Sequence, residues 1–205
     1  MGRLMGTLRR GIMGGTFDPP HLGHLILASN ARHDLELDEV WFIPTGDPYR
    51  KANNKVSSAE NRLHMLRAAV QDIEWAYVKT IEMDRHGPTY TIDTIIELSK
   101  AEGLWWFILG SDALADMQFW KEPEKILDLV RLAVGIRPGT THQDIINQLE
   151  KKLPRIEGRT DYVRMPEVEI SSSEIRERVR NGQTTEFLLQ EEVRRVINEL
   201  SLYRD

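Results

Sequence analysis

The chain has 205 residues, 40% of them hydrophobic and 29% charged, and a formal net charge of −5. These ordinary globular values exclude disorder and collagen-like structure, and the acidic balance lacks the basic footprint of sequence-independent nucleic-acid binding. No cysteine is present, which excludes disulfides, thiolate zinc sites and a cysteine nucleophile, and suits a reducing cytosol.

The opening MGRLMGTLRRG carries arginines without an apolar stretch, so no signal peptide is expected. A short strand ends at Gly11-Ile12-Met13 and runs into a glycine turn. A helix follows from about Leu22 to His33, with Leu22, Leu25, Ile26 and Ala28 on its apolar face. Val40 to Ile43 is a continuous apolar run stopped by Pro44, as in a buried strand. Ser57 or Ser58 caps a helix through Val70, and Trp75 to Ile81 alternates like a strand. A helix is expected from Thr91 to Glu102, then a buried strand from Leu104 to Leu109 that ends at Gly110. That strand is the longest dense apolar stretch, far below the about 20 residues a membrane helix needs. Helical pieces lead to Leu129, and Leu132 to Ile136 is a fifth strand. A helix near His142 to Leu153, a short strand at Tyr162 to Arg164, and helices over Ser172 to Arg180 and Glu191 to Leu200 complete the chain.

Strands apolar on both faces that alternate with helices indicate a parallel sheet covered on both sides. The expected fold is α/β: a Rossmann-like, doubly wound parallel sheet in one domain over 1–205, with a small C-terminal helical part at about 171–205. Ligands of such sheets sit beyond the carboxyl ends of the strands. The chemistry should therefore lie in Gly14 to His24, Thr45 to Lys51, Gly110 to Asp112 and Arg137 to Gly139.

The first of these segments, GGTFDPPHLGH from Gly14 to His24, is the richest. Its glycines let the backbone approach a ligand, with N–H groups free to face an anion. Asp18-Pro19-Pro20 suits a helix start. His21 and His24, three apart beside the positive end of that helix, suit a polyphosphate, and Gly23 leaves room for a bulky group. A zinc pair would need further ligands, and none is evident. The Gly-Lys-Ser/Thr ending of a P-loop is absent. Near the C-terminus, Ile170-Ser171-Ser172-Ser173-Glu174-Ile175-Arg176 has capping-box spacing at Ser171 and Glu174. The same residues form an anion seat of hydroxyls and N–H groups, with Arg176 one turn on.

Other stretches read two ways from residues alone. Asp112 is a helix N-cap or a ribose acceptor. Trp120 is a core aromatic or a ligand platform. Gly87-Pro88-Thr89-Tyr90-Thr91 opens a helix, and a helix start can also receive an anion. Arg50-Lys51 is a solvated basic pair or a phosphate clamp.

GGTFDPPHLGH resembles the signature of the HxGH nucleotidyltransferase superfamily and closely matches that of bacterial nicotinate-nucleotide adenylyltransferases, which are related in fold to the class I aminoacyl-tRNA synthetase core. The resemblance runs from about Gly11 to Tyr203, with the motifs in family order. It implies transfer of AMP from ATP to the phosphate of nicotinate mononucleotide, giving deamido-NAD and pyrophosphate, with Mg2+ held mainly through ATP phosphates and not by a protein metal site.

The resemblance also implies roles. His21, His24, Lys51 and Arg176 would be catalytic. ATP would be bound by Gly14, Gly15, Thr16, Phe17, His21, His24, Gly110, Asp112, Arg137, Ser172, Ser173 and Arg176, with adenosine at Gly110 and Asp112. Nicotinate mononucleotide would take Lys51, Thr89, Tyr90 and Thr91, with Trp120 stacked on its pyridine ring. The stretch from Ile170 to Arg176 is similar to the family's ISSTxIR motif, with Ser173 in place of threonine. Pro48-Tyr49-Arg50-Lys51 departs from the Pro-Pro-His-Lys of many relatives, so no role passes to Arg50. A phosphate monoester is already ionised at pH 7, so no protein nucleophile is implied, and catalysis is positioning plus charge neutralisation. The expected partners are small molecules, with neither nucleic acid nor membrane, in the cytoplasm; a homo-oligomer is compatible with the sequence. Other transferases of the superfamily, using the amide mononucleotide, phosphopantetheine or CTP, and a non-catalytic nucleotide-binding module remain the alternatives.

Overall fold

The structure, a computed structural model, describes residues 6–46, 56–136 and 142–204. Six strands, β1 (Arg9–Gly15), β2 (Glu39–Pro44), β3 (Ala76–Val78), β4 (Leu104–Gly110), β5 (Arg131–Ile136) and β6 (Thr160–Arg164), form one sheet in the order β3-β2-β1-β4-β5-β6. The helices are α1 (Leu22–Asp34), α2 (Ala59–Val70), α3 (Thr91–Leu98), α4 (Ser111–Asp116), α5 (Pro123–Leu129), α6 (His142–Glu150), α7 (Ser172–Arg180) and α8 (Glu191–Glu199). Strand order that doubles back at β1, with helices between the strands, is the doubly wound α/β arrangement expected from the sequence. No helix among the described residues is long and apolar enough to cross a membrane.

The chain forms two compact units, the first comprising Met1–Gly14, Leu27–Trp41 and Tyr90–Glu167. Here β1 pairs with β4, β4 with β5 and β5 with β6, all in parallel, with Ile12 opposite Phe107 and Phe107 opposite Leu132. The run Trp105 to Leu109 and the run Leu132 to Val134 are buried throughout, as strands covered on both faces must be. Gly11 is required by packing, since a Cβ there would lie 2.6 Å from the Ile108 side chain. Because β1 and β4 run side by side in the same direction, Gly14 and Gly110 open at the same carboxyl edge.

The second unit comprises Gly15–Ile26, Phe42–Thr89 and Val168–Asp205. Its core includes Phe17, Phe42, Ile43, Met65, Leu66, Ile175, Val193 and Ile197, and α2 packs on α8. Ser58 caps α2, its hydroxyl accepting from the Asn61 N–H at 3.2 Å.

Several boundaries differ from the sequence expectation, and β6 begins at Thr160 instead of Tyr162. The strand expected over Trp75 to Ile81 is only β3, because Thr80 closes a turn: its carbonyl accepts from the N–H groups of Met83 and Asp84, and its hydroxyl donates to the Asp84 carboxylate. The helix expected to reach Glu102 ends at Leu98, where the Ser99 N–H closes onto Ile95; the chain then turns through Gly103 at φ 138°. The helix near His142 ends at Glu150 instead of Leu153.

Candidate active site

The second unit gathers both anion-seat motifs. The turn after β1 is irregular, with Phe17 in a left-handed conformation at φ 51° and Asp18–Pro19 cis. Helix α1 begins only at Leu22, whose N–H donates to the Leu188 carbonyl. His21 therefore precedes the helix, and the His24 N–H donates to the His21 carbonyl at 2.9 Å. The imidazoles stack with centroids 3.7 Å apart, and Phe17 meets His24 edge-on at 5.1 Å.

This packing explains the glycines differently from the sequence. A Cβ on Gly23 would lie 3.0 Å from His21 Nδ1, so the bulky group given room is the His21 ring itself. A Cβ on Gly15 would lie 3.1 Å from the Phe17 ring, so Gly15 is explained by its own turn. Phe17 is buried to 2% exposure and can meet a ligand only through its backbone.

The His21 backbone N–H donates to His24 Nδ1 at 3.2 Å, so that nitrogen is unprotonated and a neutral His24 carries its proton on Nε2. Burial pushes the His21 pKa down from 6.5 to about 4. The free protein therefore holds His21 neutral at pH 7. Its Nδ1 is buried with no hydrogen-bond partner among the described residues.

The serine–arginine motif joins this turn across more than 150 residues of sequence. The Ser172 hydroxyl donates to the Pro19 carbonyl at 2.9 Å, and Arg176 Nη1 donates to the Asp18 carbonyl at 2.8 Å. Arg176 Nη2 donates to the Ser173 hydroxyl at 3.2 Å. Ser171 is the N-cap of α7, its hydroxyl accepting from the Glu174 N–H. The Glu174 carboxylate turns to Arg178 instead of closing the capping box.

Sequence reasoning missed three residues around this turn. Asp18 is buried, not a helix cap: one carboxylate oxygen accepts from the Ser57 N–H at 3.1 Å, the other from the Tyr203 hydroxyl at 2.6 Å. Arg62, 1% exposed, donates to the carbonyls of Ser57, Thr16, Thr45 and Gly46. Burial lowers its pKa, partly offset by the Asp18 charge. A signal for Arg62 existed, because it stands with Met65, Leu66, Ala69 and Val70 on the buried stripe of α2. Nothing local marks Tyr203.

The remaining expected site residues are distributed as follows. Thr89, in the second unit, is 5% exposed, and its hydroxyl has no hydrogen-bond partner among the described residues. In the first unit, Tyr90 is the N-cap of α3 and Thr91 its first residue; the Lys121 ammonium sits 4.5 Å above the Tyr90 ring. Gly14 packs on Phe107, whose ring meets Trp120 edge-on at 5.7 Å. Trp120 is half-buried there. A Cβ on Gly110 would enter open space, and Asp112 is exposed in the first turn of α4. Gly110, not Asp112, is the N-cap. Lys51, Arg50 and Arg137 lie outside the described residues.

A doubly wound α/β sheet with a histidine pair, serine hydroxyls and an arginine on the turn after its first strand defines a nucleotide-binding α/β protein. Residues 12–178 match the family described as Cytidylyltransferase-like. A protein of Dehalococcoides mccartyi (strain CBDB1) named "Probable nicotinate-nucleotide adenylyltransferase" is 45% identical over 204 residues, covering 97% of this chain and 98% of its own. One of the same name from Desulfitobacterium hafniense (strain DSM 10664 / DCB-2) is 39% identical over 198 residues, with 96% of both covered. In fold, the chain resembles the Plasmodium falciparum nicotinic acid mononucleotide adenylyltransferase solved with NaAD, at a TM-score of 0.73 and 21% identity over 96% of this chain and 97% of that one. The chain belongs to the Cytidylyltransferase-like family and, within it, to the nicotinate-nucleotide adenylyltransferases.

Proposed function

We propose that the protein transfers the adenylyl group of ATP to the phosphate of nicotinate mononucleotide, giving deamido-NAD and pyrophosphate, as a step in NAD biosynthesis. The observation that carries this reading is the convergence of His21, His24, Ser172, Ser173 and Arg176 on one turn of the second unit. The near-full-length relatives support the choice of acceptor.

In this reading the acceptor phosphate oxygen attacks the α-phosphorus of ATP in line, the bond to the β-phosphate oxygen breaks, and pyrophosphate leaves with that electron pair. His24 donates from Nε2, while Arg176 and Lys51 supply fixed positive charge. His21 enters neutral, and an arriving polyphosphate raises its pKa and favours proton uptake. Gly14, Gly15, Thr16 and Phe17 offer backbone; Ser172 and Ser173 offer hydroxyls. Gly110 and Asp112 take the adenosine, with Arg137 assigned to the nucleotide.

Thr89, Tyr90 and Thr91 receive the nicotinate carboxylate, a role supported by the buried Thr89 hydroxyl, which has no hydrogen-bond partner among the described residues. Trp120 stacks on the pyridine ring. Mg2+, when bound, would neutralise charge on the triphosphate and would be held mainly through ATP oxygens and water. The substrates are small molecules, the 205 residues act as one transferase domain, and the cytoplasm is its proposed location.

The test is pyrophosphate release with ATP and Mg2+, comparing nicotinate with nicotinamide mononucleotide. A strong preference for the acid is expected. Equal or reversed use would overturn the acceptor assignment while leaving the ATP site standing, and activity with neither would overturn the reading.

A further inference from the structure

The turn from Thr16 to His24 owes little of its shape to a regular backbone ladder. Three of its carbonyls are held by side chains from distant segments: Thr16 by Arg62 at 3.0 Å, Asp18 by Arg176 at 2.8 Å and Pro19 by Ser172 at 2.9 Å. Arg176 and Ser172 belong to the site already assigned. Arg62 and the Asp18 carboxylate do not, and they connect the turn to the rest of the second unit. The guanidinium engages four carbonyls from three segments, at Thr16, at Thr45 and Gly46, and at Ser57. The carboxylate adds the Ser57 N–H and reaches the last turn of the chain at Tyr203. Tyr203 adopts φ 63°, a backbone conformation rare for a large side chain, and its hydroxyl is what meets Asp18.

We infer that Asp18, Arg62 and Tyr203 are positioning residues for the transfer reaction, a buried clamp through which the C-terminal tail fixes the turn that carries His21 and His24. The clamp touches no substrate. It acts because Asp18 offers its backbone carbonyl to Arg176 and its side chain to Tyr203 and Ser57 at once, so a shift of the carboxyl shifts the turn. Preorganised donors lose effect steeply with small displacements. Tyr203 remains a donor through the working range, because burial and the Asp18 charge both raise its pKa. The inference rests on the adenylyl-transfer reading, and its test separates the two.

Arg62 is unsuitable for that test, since its loss would take the donor from four carbonyls and the positive charge from beside Asp18 inside the core. Tyr203→Phe removes one hydroxyl and keeps the ring. Full-length wild type and Tyr203→Phe would be compared in two measurements: amide hydrogen exchange over residues 16–24, and kcat and KM for ATP by pyrophosphate release. The expected results are faster exchange in the turn and a kcat lower by about tenfold, with KM for ATP within about twofold. Ile146→Val, a core change in α6 of the first unit, is the control and should keep wild-type kcat at a similar loss of Tm.

Unchanged exchange over 16–24 in Tyr203→Phe would overturn the clamp whatever the activity. So would wild-type kcat in Tyr203→Phe, or an equal fall in Ile146→Val. Absence of turnover in the wild type would overturn the adenylyl-transfer reading instead, and the exchange data would still decide whether the clamp exists.

Discussion

At the amino-terminal edge of the sheet, in the first unit, Asp161 accepts from Arg131 Nε at 2.7 Å, from Arg131 Nη2 at 2.9 Å and from the Trp106 indole at 2.8 Å. The Arg9 guanidinium lies over the Trp106 ring, and Arg10 pairs with Glu39 beside Trp41 and Trp105. These donors and the neighbouring charges outweigh burial and hold the Asp161 carboxyl below its ordinary pKa. In the turn after β1, in the second unit, His21 Nδ1 is buried without such a partner among the described residues. Both regions are rich in charge and aromatic rings, yet the Asp161 carboxylate is saturated by donors and, among the described residues, His21 Nδ1 is not. Saturated polar clusters make structure, while a buried polar atom left without a partner is a place for a ligand to complete.

The largest expected effect is at His24. Its Nε2 proton is not needed by the contact that its Nδ1 makes to the His21 N–H. His24→Ala should therefore lower kcat by about 10²-fold or more, as loss of one transition-state donor does, while thermal unfolding moves by only a degree or two. Normal turnover in that variant would remove the turn from the chemistry. His21 tests the same contrast through pH. Its folded pKa of about 4 lies below the ordinary 6.5, so the unfolded chain takes up a proton first as the solution is acidified. The resulting loss of stability begins near pH 6.5 and is complete near pH 4; at pH 5 it amounts to about 2 kcal/mol relative to pH 7. Urea midpoints at pH 7 and pH 5 should show this for wild type, and His21→Asn should flatten the slope; equal slopes would contradict the burial of a neutral imidazole.

The saturated cluster should behave in the opposite way. Asp161→Ala leaves Arg131 and the Trp106 indole short of an acceptor, at a site about a third exposed. With solvent softening the effect, the cost should be about 1–2 kcal/mol, or a Tm lower by about 5 °C. Its kcat and KM should stay at wild-type values once it is folded. A fall in kcat without a fall in Tm would make the contrast between the two regions false.

Most of the sheet could be read from the chain because its strands carry their burial in composition: Leu104 to Leu109 and Leu132 to Ile136 are apolar throughout and end at residues that halt a strand. β3 could not be read to length, since Trp75 to Ile81 alternates as a strand would, and only the Thr80 turn shortens it. The histidine pair and the Ser172–Arg176 motif were legible as anion seats because each is compact in sequence. The clamp was not. Asp18 sits in a motif where a helix start explains it just as well, and its partners Ser57 and Tyr203 are 39 and 185 residues away. Arg62 carried a signal, a charge on an apolar stripe, that counts for little until its four carbonyls are seen.

The smallest effect concerns Ser173, where the resemblance implies a threonine. Ser173 is exposed on the first turn of α7, and its hydroxyl accepts from Arg176 Nη2 at 3.2 Å. Ser173→Ala removes that acceptor but leaves Arg176 Nη1 on the Asp18 carbonyl. The guanidinium thus loses one of its two hydrogen bonds to described residues, and kcat/KM for ATP should fall by about fivefold, equivalent to a hydrogen bond of about 1 kcal/mol. Ser173→Thr keeps the hydroxyl and adds a methyl at an exposed position, with only the small penalty of a β-branched residue in a helix. Its kcat/KM should stay within about twofold of wild type. The pair of variants separates the hydroxyl from the side chain's bulk. If threonine lowered activity as much as alanine, steric fit would govern the position, and the acceptor role of the Ser173 hydroxyl would fail. If alanine were harmless, Arg176 would be held by the Asp18 carbonyl alone, which would give still more weight to where the backbone of the turn is fixed.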